Sequence, residues 1–319
     1  MRVLTDSDVN AVLSLTDLLP VVEEAFVKQG RGEVERPPRP HFPISEGETA
    51  GTGLVMPAAI HGASTFATKV ATVHPSNPER GLPTVRAQVH VTDAATGATR
   101  ATMDGSRLTN ARTGCIGGLA TRELAVDGPV DLAVIGAGAQ ARWQTRAIAA
   151  ATEVKRVRVY SPTPASRAAC AADLRGEGLD AEAVTTPAEA VTDASVVVTA
   201  TTATEPVFPG SALAPGALVV AVGAYTSEMC ELDATTVERA ARVFADVPEE
   251  VTETGDIAGR LTAEELHPLS AVFEGRAGRE DDAELLVVDS VGSAVLDAAA
   301  AEHVLERAEQ RDVGTVVGE

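Results

Sequence analysis

Apolar residues recur at helical spacing near the N-terminus, alternate with polar ones over the next stretch, and form short unbroken blocks from residue 131 onward. The first pattern predicts two short helices within residues 1–30, the first capped by Asp6 or Ser7, the second by Thr16 with Pro20 in its opening turn. The segment Arg36-Pro-Pro-Arg-Pro-His41 must run extended, since consecutive prolines exclude helix. Residues 53–103 alternate β-rich runs (TFATKVATV, VRAQVHV, TRATM) with turn signals (PSNPERGLP, DAATGA), which is the pattern of an antiparallel sheet. Residues 105–124 then read as a helix with a cap at Ser106 or Thr109.

The blocks DLAVIGAGAQ, VKRVRVYSP, ASVVVTATT, GALVVAVGA, ARVFADV and ELLVVDSVG are separated by turns or helix-like stretches, including an Ala-rich one at 164–175. Apolar strands alternating with helices specify a parallel sheet covered on both faces. The predicted fold class is α/β: a Rossmann-type doubly wound parallel sheet beside a mixed α+β part, with residues 293–310 as a long closing helix.

At 319 residues, the chain is long enough for two domains of about 150 residues each. Aromatic residues make up only 3%, so the core must be aliphatic. With 46 acidic and 26 basic residues the net charge is −20, which argues against nucleic acid as a partner. Cys115, Cys170 and Cys230 are odd in number and widely spaced, so neither a disulfide framework nor a metal site is expected. The N-terminus lacks the features of a signal peptide and no apolar run approaches about 20 residues, so a soluble cytoplasmic protein without membrane attachment is expected. Lys28, Lys69 and Lys155 are the only lysines. GC-rich coding explains that scarcity, and so does a halophilic, carboxylate-rich surface suited to high salt.

Gly136-Ala-Gly138-Ala139-Gln140-Ala141 is a G-x-G-x-x-A dinucleotide fingerprint between a predicted strand and helix. Gly136 permits the tight turn, Gly138 leaves room for a pyrophosphate, and Ala141 allows close helix packing. An acidic residue at the end of the second strand would hold the 2′-hydroxyl of NAD, but the chain reads Tyr160-Ser161-Pro162-Thr163 there. Ser161, Thr163 and Arg167 could instead bind a 2′-phosphate, so NADP is favoured slightly over NAD; Arg167 reads equally as a solvated helix residue.

Two segments, Thr68 to Thr84 and Met103 to Gly114, together with GLVMPA before them and VVDSVG near the end, resemble the ornithine cyclodeaminase/mu-crystallin family, in order from Arg36 to about Ala308. That family also includes archaeal-type alanine dehydrogenases and ketimine reductases. The resemblance implies a homodimer in which residues 1–115 and 294–319 form a substrate-binding and dimerisation domain around an NAD(P)-binding Rossmann domain, 116–293. It aligns Lys69 with the family's substrate lysine, Arg39 with an arginine for the substrate carboxylate, and Thr84 with another pocket residue. Arg112 and Thr113 match residues contacting cofactor phosphate or substrate. Thr201, Val222, Gly223 and Val291, at the ends of apolar blocks, complete the implied cofactor contacts. A lysine in an apolar strand otherwise reaches solvent at an edge, and Arg39 could be a surface residue held by prolines. His74 reads as ordering the PSNP loop rather than carrying protons, and Asp297 as capping or pairing on the last helix.

One departure redirects the expected reaction. Cyclodeaminase-like and alanine dehydrogenase-like members usually carry an aspartate two residues beyond the equivalent of Gly223, then a lysine. Here those positions hold Tyr225 and Met229. Tyrosine is no anion at neutral pH, but it can donate a hydrogen bond or a proton. The form resembles the branch that reduces cyclic imines such as pyrroline-2-carboxylate. Lys69 and Arg39 would hold the carboxylate of a small imino or amino acid, and Lys69 or Tyr225 would supply the proton. Ornithine cyclodeaminase, alanine dehydrogenase and a non-catalytic NADP-binding protein are the competing readings.

Overall fold

The computed structural model describes residues 1–45, 47 and 50–318. The chain divides into two compact units, Met1–Arg112 with Ser293–Glu319, and Thr113–Gly292.

The first unit is built on a sheet in the order Thr315–Val316, Arg2–Leu4, Thr99–Asp104, Val85–Asp93, Thr65–Val73, Gly51–Ile60 and Val34–Glu35, with His41–Ser45 also on Gly51–Ile60. Every pairing is antiparallel except that of Arg2–Leu4 with Thr99–Asp104. Alternation works as the sequence predicts: Ala67, Lys69 and Ala71 are buried on one face of their strand, while Val70 points the other way. On the buried face one row runs Met56, Lys69, Val89, Met103, Leu4 across five strands. Helices Leu15–Gly30 and Ala294–Gln310 pack together, and the latter lies against the central strands. Its alanines keep it thin, so residues 294–301 are all buried.

The helix starts differ from expectation. Thr5, not Asp6 or Ser7, caps Asp6–Val12 in a capping box with Asp8. Ser14, not Thr16, caps Leu15–Gly30, which places Pro20 inside that helix rather than in its opening turn. Asp104 accepts from the Ser106 amide at 2.9 Å at the start of Gly105–Leu124, while the Ser106 hydroxyl accepts from the Ala87 amide. At Thr5 and Ser14 the backbone is still extended, which the capping geometry requires.

The second unit holds an all-parallel sheet in the order Ala181–Ala183, Val154–Tyr160, Val130–Ile135, Val196–Thr199, Leu218–Ala221, Leu286–Asp289, Arg242–Ala245, His267–Pro268. Val196–Thr199, Leu218–Ala221 and Leu286–Asp289 are buried throughout, as strands covered on both faces must be. Strand order reverses between Val130–Ile135 and Val196–Thr199, the crevice where doubly wound sheets bind ligands. Among the described residues, no helix is long and apolar enough to cross a membrane.

Candidate functional site

In the first unit the antiparallel strand Thr65–Val73 carries Lys69 into the interior, where it is 3% exposed. A buried ammonium needs a counter-charge, and Asp297, 228 residues away on the closing helix, accepts from its Nζ at 2.5 Å. The other oxygen of Asp297 accepts from Arg112 Nε at 2.9 Å. Burial pushes the Asp297 carboxyl up, but Arg112 and Lys69 outweigh it and hold the group below its usual value. Burial drives Lys69 down to about 8, with Asp297 opposing and the charges of Arg112 and Arg39 adding to the fall. Arg112 Nη1 is buried without a hydrogen-bond partner among the described residues. Two cations and one carboxylate leave a net positive charge beside an unused guanidinium donor and a lysine poised near neutrality. That arrangement can hold a carboxylate and exchange a proton.

The structure thus brings Lys69 and Arg112 together through Asp297, whose part the sequence reading had reduced to a cap or pair on its own helix. A lone aspartate in an alanine-rich helix carries no sign of partners so remote. Arg39 lies half-buried on the extended segment before His41–Ser45, close enough for its charge to bear on Lys69. Thr84 is half-buried, and its carbonyl accepts from the His74 amide. His74 is an organiser of this loop: its carbonyl accepts from the Asn77 amide and its ring covers Gly51.

In the second unit the glycine turn follows Val130–Ile135 and opens the helix Ala139–Ala151. Gly136 has φ +119°, and a Cβ there would lie 2.5 Å from the Ala200 carbonyl oxygen, so only glycine fits. Gly138 is the N-cap and has no side-chain cap bond; a Cβ at that position would meet nothing within 4 Å. The two glycines therefore differ, one fixing the turn and the other keeping a space clear above the helix N-terminus. That space and the helix-end amides suit a pyrophosphate. Ala141 is fully buried, as close helix packing requires. Arg142, which no sequence motif singles out, donates to the carbonyls of Ala137 and Gly138 and pairs with Asp173, bracing the turn. Ala139 and Gln140 begin the helix, and the Thr113 carbonyl accepts from Gln144 in its next turn at 2.8 Å.

At the end of Val154–Tyr160, Arg167 lies over the Tyr160 ring, 5.8 Å from its centroid, and donates to the Ser161 carbonyl. Thr163 is exposed and makes no side-chain cap bond. Beyond Val196–Thr199 and Leu218–Ala221, the amides of Thr201 and Gly223 both donate to Glu231; the Val222 amide donates to the Thr199 carbonyl. Val291 is nearly buried, its amide on Asp246. Tyr225 is half-buried against the unit's aliphatic core, and Met229 is buried.

A profile of the ornithine cyclodeaminase/mu-crystallin family matches residues 1–312. A Delta(1)-pyrroline-2-carboxylate reductase of Bacillus cereus is 33% identical over 320 residues, spanning 97% of this chain and 98% of its own. The structure of the Thermococcus litoralis Delta(1)-pyrroline-2-carboxylate reductase in complex with NADH and L-proline is 31% identical, with a TM-score of 0.95 over 99% of this chain and 100% of that one. An archaeal alanine dehydrogenase dimer with bound NAD is 30% identical, with a TM-score of 0.92 over 100% and 99%. The match runs through both units, including the fingerprint turn and the strand that buries Lys69, so the chain belongs to the ornithine cyclodeaminase/mu-crystallin family.

Proposed function

We propose that this protein is a nicotinamide-dependent oxidoreductase that reduces a small cyclic α-imino acid, with pyrroline-2-carboxylate as the favoured substrate. The observation that carries this reading is the buried Lys69–Asp297–Arg112 cluster, with its open Arg112 donor. Arg112 and Arg39 bind the substrate carboxylate; Lys69, protonated below about pH 8, gives a proton to the imine nitrogen. Met56 pairs with Lys69 in the sheet register and offers an apolar wall to ring methylenes. When bound, the reduced nicotinamide supplies the hydride. Gly136, Gly138, Ala139, Gln140, Thr113, Thr201, Val222, Gly223 and Val291 hold the cofactor. Tyr225 is the second candidate proton donor. Standing where an aspartate would bind a distal amine, it disfavours ornithine.

The family relationship supports the cofactor class. Its phosphate form rests on Ser161, Thr163 and Arg167, where no carboxylate interrupts residues 160–163. We infer NADPH preference on that ground; the two solved relatives hold NADH and NAD, so the NADPH/NADH affinity ratio decides the point, and Arg167→Ala should lower it. A homodimer is inferred from the alanine dehydrogenase dimer; on the outer sheet face Val70, 39% exposed, stands between Val55 and Gln88.

The test is a substrate panel at high and low salt: pyrroline-2-carboxylate with NADPH or NADH, pyruvate with ammonia and NADH, and ornithine with NAD. Fastest turnover is expected for the cyclic imine. Ammonia release from ornithine without net cofactor change would identify a cyclodeaminase. Tight nucleotide binding with no turnover of anything would identify a binding protein.

A further inference from the structure

Glu231 is fully buried in the second unit, yet it lies on an irregular segment rather than in a strand or helix. Its carboxylate gathers three donors from two strand ends. The Thr201 amide reaches Oε1 at 2.6 Å, while the Thr199 hydroxyl and the Gly223 amide reach Oε2 at 2.8 and 2.9 Å. Gly223 has no room for a side chain, since a Cβ would strike the Thr201 carbonyl and lie 2.6 Å from Glu231 Cδ. The next carbonyl back, Ala200, is the one that closes on Gly136. One carboxylate therefore ties Val196–Thr199 to Leu218–Ala221 and, through residues 199–201, supports the fingerprint turn. Glu231 is itself held, because its amide and that of Leu232 donate to Asp256 at 2.6 and 2.7 Å.

We propose that Glu231 is a positioning residue for the nicotinamide cofactor, acting through Thr201 and Gly223, and that its ionisation links cofactor affinity to pH. This rests on the cofactor reading above, though not on the identity of the imine substrate. The ionised carboxylate accepts all three donors without competition. Protonation places a hydrogen on one oxygen, where it competes with a donor already there and weakens the hold on a strand end. Burial pushes Glu231 up to about 7, with Thr201 and Thr199 opposing and the Asp256 charge adding to the rise. The groups facing it are the carboxyls of Asp256 and Asp289, with Asp246 beyond them; Arg260 lies near Asp256. Burial and those acidic neighbours hold Asp289 well above its usual value.

The experiment is direct titration of NADH and NADPH against the intact protein at about pH 6 and 8, read by nucleotide fluorescence with no imine present. For the wild type, affinity should fall severalfold on going from pH 8 to 6. Glu231→Gln keeps the volume but removes one acceptor; it should weaken binding at pH 8 by about tenfold and abolish most of the pH dependence. Thr199→Val deletes a single donor and spares the backbone contacts, so it should move the pH midpoint upward, which covers the case in which the glutamine variant fails to fold. Equal affinities at both pH values for a folded Glu231→Gln and the wild type, or an unmoved midpoint in Thr199→Val, would overturn the assignment. Absence of any nucleotide binding by the wild type would overturn the cofactor reading with it, whereas failure on cyclic imines alone would leave it standing.

Discussion

At the scale of single residues, the decisive feature is a lysine placed in the row Met56–Lys69–Val89–Met103, where its neighbours are apolar. Lys69→Ala should lower imine reduction by about 10²–10⁴-fold. It should also cost stability, because Asp297 keeps only Arg112 as a counter-charge; removing one partner of a buried pair costs about 3–5 kcal/mol. Measured kcat/KM and Tm together check this, and full activity in the variant would refute the site. The sign of the pH dependence follows from the lowered lysine. Reduction needs protonated Lys69, so its rate should fall as pH rises through about 8, while oxidation of the cyclic amine needs the neutral form and should rise there. Asp297→Asn removes the influence that holds Lys69 up, so the limb of the reductive profile should move to lower pH. A profile unchanged in that variant would show that Lys69 does not set it. Strand alternation left Lys69 either at an edge or pointing inward; the scarcity of lysine and the family resemblance favoured the inward placement. Its partner was not legible, because no local pattern links residue 69 to residue 297.

At the scale of elements, the longer strands between residues 65 and 104, the parallel blocks from 130 onward and the closing helix were legible because apolar period and turn chemistry are local properties. The two- and three-residue strands Arg2–Leu4, Val34–Glu35, Ala181–Ala183, His267–Pro268 and Thr315–Val316 are too short to show a period. The caps of the first two helices were misplaced by one or two residues because several hydroxyl and carboxylate residues compete near each start. Which one caps depends on where the backbone leaves extended geometry. The fingerprint glycines show the finer distinction that coordinates add. Gly138→Ala has open space and an ordinary φ of −82°. It should leave Tm within about 1–2 °C while weakening NAD(P)H binding about tenfold or more by filling the space above the helix end. Gly136→Ala meets the Ala200 carbonyl at positive φ and should destabilise the protein by about 1–3 kcal/mol. Calorimetry and nucleotide titration of the two variants should separate the roles; equal effects on Tm would contradict the assignment.

For the whole molecule, a net charge of −20 raises self-repulsion that mobile ions screen. If the surface is tuned to salt, Tm should drop by about 5 °C or more on dilution from about 2 M to 0.05 M NaCl. A Tm that does not fall would assign the arginine-rich, lysine-poor composition to coding bias. The acidic exterior does not prevent anion binding, because the positive charge of Lys69 and Arg112 is buried. Sequence alone determined the parallel sheet, the glycine turn between strand and helix, and the family, since period, glycine geometry and motif order are written in neighbouring residues. Tertiary structure decided which charges meet. Asp297 with Lys69 and Arg112, and Glu231 across two strand ends, are pairings made by burial, whereas Arg142 on the Ala137 and Gly138 carbonyls is a partly exposed local brace. A buried charge must find its partner in space, whatever its distance along the chain.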